Sequence, residues 1–402
     1  MHILIISQIF PPDLGGSATR AYNLGKGLIA NGCKVTVVAG FPHYPTGNVP
    51  REYREKALVK ESMDGMSVIR TFVPPLASKG FARRLILFMC FIISSLFPIP
   101  LIRGIDGVFA SNPHILAIFP AFVYKMVYRC PVVLNVDDLW PETLYDLGML
   151  KSNISMSIGE LVAKLAYSMA NAITPISLGY VETIVNKYGI EESKVIVVPG
   201  GVDLSIFNCG FDASDQKDGF KVLYIGAFSS AYDFDQVLKA AKLLENAGVK
   251  VVLQGSGEKA SNIRDGMKRL DVKNVELIEK TVARKEVAKL LSDSDVLLLP
   301  LSGMKNVEKG ISSKLYEYQA AGKPIICCSA GQPARYVEET NSGIVVKPGD
   351  YEALAKAVIY LREHVDVAEK LGKSGGQYVE ENLSIERIGL RMKEILAYIL
   401  ER

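Results

Sequence analysis

The chain has 402 residues, of which 49% are apolar and 22% charged, and its formal net charge at pH 7 is +3. This length suits two domains of about 200 residues each, and the apolar fraction excludes an intrinsically disordered protein. The small net charge argues against a nucleic-acid-binding protein, which usually has a pI above about 9 and clustered Lys and Arg. A mild attraction to anionic lipid is compatible with this net charge.

The cysteines show no metal-ligand spacing, and the one adjacent pair falls in a predicted buried strand. We expect them to be reduced and structural, as in a cytosolic protein. They are Cys33, Cys90, Cys130, Cys209, Cys327 and Cys328. The N-terminal sequence MHILIISQIF lacks a basic n-region and a small-residue cleavage site, so it predicts a first strand and not a signal peptide.

Short apolar segments alternate with helical patterns along the chain. The predicted strands are HILIISQIF, KVTVVAG, SVIRTFV, GVFAS, PVVLNVD, AITPIS and KVIVVPGG in the first half, and KVLYIGAF, KVVLQGSG, NVELIE, DVLLLP, PIICC and GIVV in the second. Such segments are typical of parallel strands covered on both faces. The sequence therefore predicts an α/β protein with two tandem Rossmann-like domains facing a cleft, and ligands outside the carboxyl ends of the strands.

A polar stretch at 208–219 separates the two patterns and sets the predicted domain boundary. We predict an N-terminal domain over residues 1–207 and a C-terminal domain over 208–384. The last helical pattern, 385–402, is expected to pack back on the N-terminal domain.

Two glycine pairs follow predicted strands. Gly15 and Gly16 precede a helix, where free backbone N–H groups attract phosphate and glycine lets a ligand approach the backbone. Gly255 and Gly257 end a strand, where a nucleotide base or ribose would fit. An ordinary turn explains each pair about equally well. Neither pair forms a G-x-G-x-x-G fingerprint, which disfavours a nicotinamide-dependent dehydrogenase.

The segment ISSKLYEYQAAGKPIICC at 311–328 combines a short helix start with charged side chains. A serine N-cap leaves backbone N–H groups that favour an anion, and Lys314 adds a positive charge. The Glu317 carboxylate can accept hydrogen bonds from a diol such as a ribose. Together these features predict a nucleotide diphosphate site. The alternative is a solvated lysine and a glutamate that stabilises a helix start.

Residues 85–102 form an uncharged segment that approaches the length of a membrane span. Pro98 and Pro100 end its helix after about 13 residues, too few to cross a bilayer core of roughly 30 Å. A helix lying in the membrane interface suits this length, with Lys79, Arg83 and Arg84 near anionic headgroups. The alternative is a buried helix of the first domain.

Several motifs in order resemble those of a known family. They are the Gly-Gly loop, VVPGGVDLSIF at 197–207, KVLYIGAF, and KLYEYQAAGKPI. The chain resembles, over nearly its whole length, a family-4 retaining glycosyltransferase of GT-B architecture. The segment VDDLWPE at 136–142 is similar to the subgroup that transfers N-acetylated deoxyhexosamines (N-acetylfucosamine type) in O-antigen and capsule synthesis.

The resemblance implies a donor site for a nucleotide sugar, with uracil as the expected base and no cofactor. Gly15 and Gly16 would approach the diphosphate or the sugar, and Glu317 would hold the ribose. The backbone N–H groups of the helix start would contact sugar and phosphate. The remaining residues of this predicted donor site are Arg20, Gly226, Gly255, Gly257, Gly310, Ile311, Ser312, Ser313 and Lys314.

Three positions depart from the family pattern. The family's first glutamate falls at Lys309, with Glu308 one place away. The usual Gly-Arg-Leu is Gly226-Ala227-Phe228, and the following lysine is Tyr232. The missing Arg/Lys pair normally neutralises the leaving diphosphate. Lys314 and Lys305, with Arg20 from the other domain, are the candidates to replace it.

The catalytic candidates are Asp137, Asp138 and Glu142, beside Trp140. Asp137 and Asp138 fall where many family members have a His-Asp pair. One of these carboxylates would act as base or nucleophile with a raised pKa. Alternatively, the leaving phosphate takes the acceptor proton and DDLWPE caps a helix. The Asp293-Ser294-Asp295 sequence precedes a buried strand and predicts a helix end, so transfer is expected to be independent of metal.

The expected activity is retaining transfer from a UDP-sugar. If residues 85–102 lie on the inner face of the cell membrane, the acceptor would be a lipid-linked saccharide such as a polyprenyl diphosphate sugar. A second hypothesis, supported by the missing Arg/Lys pair, is a catalytically idle nucleotide-sugar binding protein that assists another transferase.

Overall fold

The computed structural model describes residues 1–44, 46–76, 80–111, 114–146, 148–150, 152–207 and 219–401. The chain divides into unit 1, Met1–Gly201 with Ile385–Arg402, and unit 2, Val202–Ser384. This division lies slightly before the predicted boundary at 207/208. Most of the polar stretch that suggested this boundary lies outside the described residues.

The described part of unit 1 contains one seven-stranded sheet in the order β3-β4-β2-β1-β5-β6-β7. Its strands are β1 (His2–Ser7), β2 (Lys34–Gly40), β3 (Leu58–Met63), β4 (Met66–Thr71), β5 (Gly107–Ala110), β6 (Val132–Val136) and β7 (Ala172–Pro175). All neighbours run parallel except β3 and β4. In the central strand β1, Ile3 to Ile6 are fully buried, as expected for a strand covered on both faces.

Helices cover both faces of this sheet. They are α1 (Gly16–Ala30), α2 (Phe81–Ser94), α3 (Ile118–Tyr128), α4 (Glu142–Asp146), α5 (Asn153–Met169) and α6 (Leu178–Glu182), with single turns at Arg51–Tyr53, Ile99–Leu101, Ile115–Ala117, Thr183–Lys187 and Glu192–Lys194. The chain passes from β1 to β2 in one direction and from β4 through β5 and β6 to β7 in the other. Right-handed crossovers therefore place α1 on one face and α2, α3 and α5 on the other.

Unit 2 contains, among its described residues, a six-stranded parallel sheet in the order β10-β9-β8-β11-β12-β13. Its strands are β8 (Phe220–Ala227), β9 (Val249–Ser256), β10 (Val275–Ile278), β11 (Val296–Pro300), β12 (Ile325–Cys328) and β13 (Gly343–Val346). Its helices are α7 (Leu204–Phe207), α8 (Phe234–Leu243), α9 (Ala260–Leu270), α10 (Arg284–Ser292), α11 (Lys305–Lys309), α12 (Ser313–Ala320), α13 (Gln332–Glu339), α14 (Tyr351–Glu363) and α15 (Val365–Asn382), with a turn at Glu245–Ala247.

The predicted fold class, α/β with two Rossmann-like domains, is confirmed. In each sheet the strand order reverses at one point, between β1 and β5 in unit 1 and between β8 and β11 in unit 2. Ligands of open parallel sheets bind at the carboxyl ends of the strands beside such a point. The fold therefore predicts ligand sites at the loops that follow β1 and β8.

The C-terminal helix α16 (Ile385–Leu400) belongs to unit 1 and packs on α1. The two helices approach closely at Gly27 and Gly389, where a Cβ atom on either glycine would overlap the backbone of the other helix. Glycine on both sides thus brings the helix axes together, and longer side chains along the same line would separate them.

Two strand predictions need correction. The segment KVIVVPGG at 194–201 was predicted to be a strand, but it pairs with β7 only over a short stretch. Val195 forms an isolated bridge with Ile173, and the N–H groups of Ile196 and Val198 donate to the carbonyl oxygens of Ile173 and Pro175 at 2.9 Å and 3.0 Å. Pro199 has no N–H to donate and two glycines follow it, so pairing does not continue. The sequence also missed β3, an edge strand paired antiparallel with β4, in which the exposed Lys60 and Ser62 alternate with half-buried residues.

The apolar segment at 85–102 lies partly in the core and partly on the surface. In α2, Leu87 and Phe91 are buried, while Ile86, Met89 and Ile93 are 48%, 46% and 58% exposed. Within the described ranges, no helix combines the length and hydropathy needed to cross a membrane.

Of the cysteines, Cys33, Cys130, Cys327 and Cys328 are buried and Cys90 is half-buried. These five are free thiols, whereas Cys209 lies outside the described residues.

Candidate functional site

In unit 2, Lys314 occupies the carboxyl end of β8. A Cβ atom on Gly226 would lie 2.1 Å from Cε of Lys314, so a larger residue at this position would displace the lysine side chain from this place. Gly226 also has a φ of 146°, a conformation that favours glycine. Lys314 belongs to the first turn of α12.

Tyr232 fixes the position of this amino group. The Nζ atom of Lys314 donates a hydrogen bond of 2.9 Å to the Tyr232 hydroxyl and lies 4.9 Å from the centre of its ring. An isolated bridge between Tyr232 and Leu301 places the tyrosine between β8 and β11, where the strand order reverses. Burial alone would raise the pKa of Tyr232, but the Lys314 charge and hydrogen bonds with Lys314, Ser312 and Tyr224 lower this pKa below its ordinary value.

Ser312 is the N-cap residue of α12, as the sequence predicted, but its side chain does not cap the helix. It bonds to Tyr232 instead. The first backbone N–H groups of α12 thus donate no hydrogen bond to the side chain of this serine. Gly310 is buried, Ile311 and Ser312 are half-buried, and Ser313 is exposed.

Glu317 forms an ion pair that the sequence analysis missed. Arg284 Nη1 donates to Glu317 Oε1 at 2.8 Å, and the guanidinium lies 4.8 Å above the ring of Phe207. The Glu317 side chain keeps 16% of its surface exposed. Arg284 follows β10 in an ordinary charged sequence, so no signal in the sequence pairs it with Glu317.

Glu308 has a structural role. One of its carboxylate oxygens accepts hydrogen bonds from the Ser329 hydroxyl at 2.6 Å, from Ala330 N at 2.8 Å and from Gly331 N. These bonds hold the turn before α13. Lys305, at the start of α11, is exposed.

Gly255 and Gly257 lie where β9 approaches β8. A Cβ atom on Gly255 would lie 1.7 Å from the carbonyl oxygen of Gly226, and one on Gly257 would lie 2.3 Å from that of Phe228. This contact between backbones accounts for both glycines without a ligand.

The Asp293-Ser294-Asp295 sequence ends α10. Asp293 is its C-cap residue, and Asp295 Oδ2 accepts a hydrogen bond of 2.6 Å from the backbone N–H of Lys221. Over the described ranges, no three His, Cys, Asp or Glu side chains gather as metal ligands.

In unit 1, a cavity of about 220 Å³ lies at the carboxyl ends of β1 and β6. It is lined by Gln8, Ile9, Leu14, Gly15, Gly16, Ser17, Ala18, His43, Tyr44, Arg84, Phe88, Asp138, Trp140, Thr143 and Leu144. The cavity thus combines a glycine loop, aromatic walls and a carboxylate. It gathers the predicted residues Gly15, Gly16 and Asp138, and α2 contributes Arg84 and Phe88.

Arg20 connects the helix after the glycine loop to the strand that carries the carboxylates. Its Nε atom lies 3.0 Å from Asp137 Oδ1, and Nη2 donates to the carbonyl oxygen of Val198 at 2.6 Å. Asn135 Nδ2 also donates to Asp137 Oδ1, at 2.8 Å, whereas Oδ2 is buried without a hydrogen-bond partner among the described residues. Burial raises the pKa of Asp137 despite the opposing charge of Arg20.

Asp138 differs from its neighbour because it is exposed at the cavity wall. Water reaches the side chain, but the surrounding protein displaces much of the bulk solvent. This desolvation, with the charge of Asp137, raises the pKa of Asp138 to about 6. The carboxylate is therefore ionised at neutral pH and more basic than an ordinary aspartate.

Glu142 lies apart from the cavity lining. Its Oε1 atom accepts hydrogen bonds from Lys187 Nζ at 2.8 Å and from the Tyr188 hydroxyl at 2.6 Å. These contacts hold α4 against the segment after α6, which is a structural role.

The sequence analysis also missed the groups that support the cavity. Arg70 is fully buried, and its guanidinium donates to the carbonyl oxygens of Phe10, Pro11 and Gly40, which fixes the loop after β1. His114 stacks on Phe88 with ring centres 3.8 Å apart. Burial lowers the pKa of His114 to about 3, so this ring is neutral. Neither residue belongs to a motif that would have identified it.

Two family descriptions match the chain in succession. Residues 14–206 match "Glycosyltransferase Family 4" and residues 211–377 match "Glycosyl transferases group 1". Among curated proteins, the uncharacterized glycosyltransferase MJ1607 of Methanocaldococcus jannaschii is 23% identical, over 98% of this chain and 99% of its own. The putative colanic acid biosynthesis glycosyl transferase WcaI of Escherichia coli is 22% identical, over 96% and 98% respectively.

Solved structures share the architecture over the whole length. Sucrose-phosphate synthase from Thermosynechococcus elongatus superimposes with a TM-score of 0.78 at 18% identity, covering 100% of this chain and 99% of its own. Anabaena HepE, solved in complex with UDP, superimposes with a TM-score of 0.71 at 15% identity, covering 99% and 100%. At these identities the likeness shows the two-domain GT-B fold.

Proposed function

We propose that this chain, which belongs to the group 1, family 4 retaining glycosyltransferases, transfers an N-acetylated hexosamine or deoxyhexosamine from a UDP-sugar to a saccharide acceptor in surface polysaccharide synthesis. The observation that carries the proposal is the arrangement of Lys314 and Glu317 on one short helix beside the reversal point of the unit 2 sheet. The UDP bound by HepE and the name of the colanic acid relative support the donor and the pathway class.

The donor binds in this proposal at the start of α12. The diphosphate contacts the amino group of Lys314 and the backbone N–H groups from Gly310 to Ser313, where the helix dipole favours an anion. The ribose hydroxyls donate to the Glu317 carboxylate, which Arg284 holds in place. The predicted contacts of the nucleotide with Gly255 and Gly257 remain part of the proposal, although backbone packing already requires glycine there.

Transfer breaks the bond between the anomeric carbon and the diphosphate oxygen and forms one from that carbon to an acceptor hydroxyl oxygen. Negative charge develops on the departing diphosphate, so preorganised positive charge supplies the largest catalytic effect. Lys314, fixed by Tyr232, supplies it here in place of the Arg/Lys pair that the family pattern expects. The proposal involves no metal ion.

The unit 1 cavity offers groups that suit a saccharide. Gly15 and Gly16 allow close approach to the backbone, Trp140 and Phe88 offer apolar ring surfaces, and Asp138 accepts hydrogen bonds from hydroxyl groups. We assign Asp138 as the base for the acceptor proton because it lines the cavity and its pKa is raised. Asp137, with Arg20, is the positioning pair beneath it, and Glu142 has a structural role. A phosphate oxygen of the leaving group is the alternative proton acceptor.

The proposal places the enzyme on the inner face of the cell membrane through residues 85–102, with a polyprenyl-diphosphate-linked saccharide as acceptor. The exposed apolar side of α2 supports this location. O-antigen and capsule are the polymer classes that fit such an acceptor.

A thermal-shift titration with UDP, GDP, ADP and CMP in EDTA tests the donor site. A ligand at about 100 times its dissociation constant adds roughly 2.7 kcal/mol to the free energy of unfolding. We expect a shift selective for UDP that Glu317→Ala removes. Selective binding of UDP without any hydrolysis or transfer of UDP-sugars would favour the idle binding partner, and no shift with any nucleotide would contradict the donor site.

A further inference from the structure

Three helices form a continuous layer on one side of the unit 1 sheet. The Tyr124 hydroxyl of α3 donates to the carbonyl oxygen of Ser95 at 2.8 Å, and the Tyr128 hydroxyl bonds to that of Ile102 at the same distance. These bonds attach α3 to the segment that follows α2. On its other side α3 packs against α5. We call the solvent-facing side of α2, α3 and α5 the apolar face.

The helix α5 exposes a full stripe of aliphatic side chains. Ile154, Ile158, Leu161 and Leu165 are 75%, 58%, 69% and 50% exposed. Their spacing of four, three and four residues places them on one side of the helix, opposite the buried Ala163, Ala166 and Tyr167. A stripe of this length that none of the described residues of unit 1 covers is typical of an interaction surface.

The stripe continues onto the two neighbouring helices. Met126 and Val127 of α3 are 64% and 52% exposed, and Ile86, Met89 and Ile93 of α2 are about half exposed. Because right-handed crossovers place all three helices on the same side of the sheet, these side chains belong to one face.

The charges on this face are basic. Among the described residues of α2, α3 and α5, the exposed charged side chains are Arg83 and Lys164, and Arg129 follows α3 directly. The one acidic residue of these helices, Glu160, is half-buried and ion-paired with Lys187 at 2.7 Å. Two copies of the chain meeting through this face would bring like charges together, which disfavours a symmetric dimer.

We infer that the apolar face, with α5 and α3 as well as α2, lies on an anionic lipid bilayer. The aliphatic stripes enter the interface between headgroups and acyl chains, while Arg83, Arg129 and Lys164 contact anionic headgroups. This inference rests on the proposed function, in which only residues 85–102 touch lipid, and it extends the membrane contact from one helix to a surface of three.

The placement of α2 links the bilayer to the cavity. Arg84 and Phe88 line the cavity, whereas Ile86 and Met89 on the same helix point to solvent. An acceptor anchored in the bilayer by its lipid would therefore present its saccharide next to the wall that α2 contributes. One side of α2 thus faces the bilayer that holds the lipid carrier, and the other side lines the cavity.

Sedimentation with vesicles tests the inference on the whole chain. The probe is vesicles of equal parts phosphatidylglycerol and phosphatidylcholine, compared with phosphatidylcholine alone. We expect binding to the anionic vesicles that weakens as salt rises. The triple variant Ile154→Ser, Ile158→Ser, Leu161→Ser should lose at least about tenfold in vesicle affinity, since three exposed aliphatic side chains no longer enter the interface.

A matched control carries Leu243→Ser, Val365→Ser and Leu400→Ser, which are 56%, 59% and 45% exposed and lie outside the apolar face. It should bind vesicles like the wild type, and both variants should keep the wild-type unfolding temperature. Equal vesicle binding by the α5 variant and the wild type overturns the inference. The inference is also overturned if the wild type does not bind vesicles and forms an oligomer that the α5 substitutions dissociate. The apolar face is then a protein interface.

The UDP titration separates this inference from the proposed function. If vesicle binding depends on α5 but the chain binds no nucleotide, the membrane face is supported and the proposed donor site is contradicted. Selective UDP binding with no dependence of vesicle binding on α5 would do the opposite.

Discussion

The amino group of Lys314 lies 2.9 Å from the hydroxyl oxygen of Tyr232 at the point where the unit 2 sheet reverses its strand order. Lys314 belongs to the first turn of α12, and Tyr232 lies in the loop between β8 and α8. Tyr232 stands where the family pattern expects a lysine. The tyrosine therefore does not supply the missing cation but holds another one, from α12, in the space that Gly226 leaves open. A positive charge is retained at the carboxyl end of β8 by a different residue.

Tyr232→Phe should lower kcat by about tenfold, because Lys314 loses a hydrogen bond to a charged group worth about 1.5–3 kcal/mol. KM for the UDP-sugar should change less, since the ring and the amino group remain. Steady-state kinetics measure both constants. Tyr360→Phe, on an exposed helix surface, is the control. A Tyr232→Phe enzyme with unchanged kcat would show that Lys314 needs no support from the hydroxyl.

Lys314→Ala should reduce kcat by about 10²–10³, the usual effect of removing one group that stabilises a developing anion. Lys305→Ala, which removes an exposed lysine from the neighbouring short helix, should have little effect. Comparing the two variants under saturating donor decides between the two lysines that the sequence offered. A larger loss of kcat with Lys305→Ala than with Lys314→Ala would indicate that the diphosphate binds at α11.

Glu317→Ala should weaken UDP binding by about 1.5–3 kcal/mol through the loss of hydrogen bonds from the ribose. Isothermal titration calorimetry with UDP, and with UDP analogues that lack ribose hydroxyls, measures this difference. Arg284→Ala removes the ion pair but keeps the carboxylate, so its effect should be smaller. If the folded Glu317→Ala protein binds UDP with wild-type affinity, the Glu317 carboxylate does not contact the ribose.

The pH dependence of transfer should reflect Asp138. Its pKa of about 6 means that protonation below this pH removes the base, so kcat/KM should fall as the pH decreases through about 6. Asp138→Asn should lower activity and abolish this acidic limb. If the variant keeps the limb and only binds the sugar more weakly, the proton goes to the leaving phosphate instead.

Stability gives an independent test of the same group. The folded-state pKa of Asp138 is raised above its ordinary value of 3.8, so ionisation is unfavourable in the folded chain. The stability that the neutral form provides is present at low pH and lost as the pH rises through about 6. Asp138→Asn should therefore raise the unfolding temperature at neutral pH and leave it nearly unchanged near pH 4. A lower unfolding temperature at neutral pH would contradict the raised pKa.

Arg20→Ala should destabilise the chain by about 3 kcal/mol, since it leaves the largely buried Asp137 carboxylate without its cation. Adding Asp137→Asn to this variant should restore part of the loss, because no unpaired charge then stays in the interior. Urea unfolding of the two single variants and the double variant measures the coupling. Additive losses would show that the two side chains do not interact.

The sequence predicted those features that a repeating pattern or a motif determines. Strands such as β1 and β11 are apolar at nearly every position, and the glycines and the N-cap serine mark turns and helix starts, so the fold class and the start of α12 were predictable. The strand predicted at 194–201 pairs with β7 only as far as Val198, because Pro199 has no N–H to continue the pairing.

The partners of the site residues could not be predicted, because side chains far apart in the sequence meet only in the folded chain. Arg284 is one charged residue among many until it reaches Glu317, and Arg70 gives no indication that it holds the loop after β1. The stripe on α5 is periodic in the sequence, yet the pattern of a buried helix face is the same. Only the fold shows that the stripe is exposed, with no cover from the part of the chain that the structure describes.

Unit 2 leaves unit 1 after Gly201 and the chain returns at Ile385. These two residues are in contact, because a Cβ atom on Gly201 would lie 3.2 Å from Cα of Ile385. The whole of unit 2 is thus an insertion whose two ends meet, and a linker of a few residues could take its place. Residues 1–201 joined in this way to 385–402 would keep Gly389 against Gly27, whereas cutting the chain at 384 would remove a helix from the fold of unit 1.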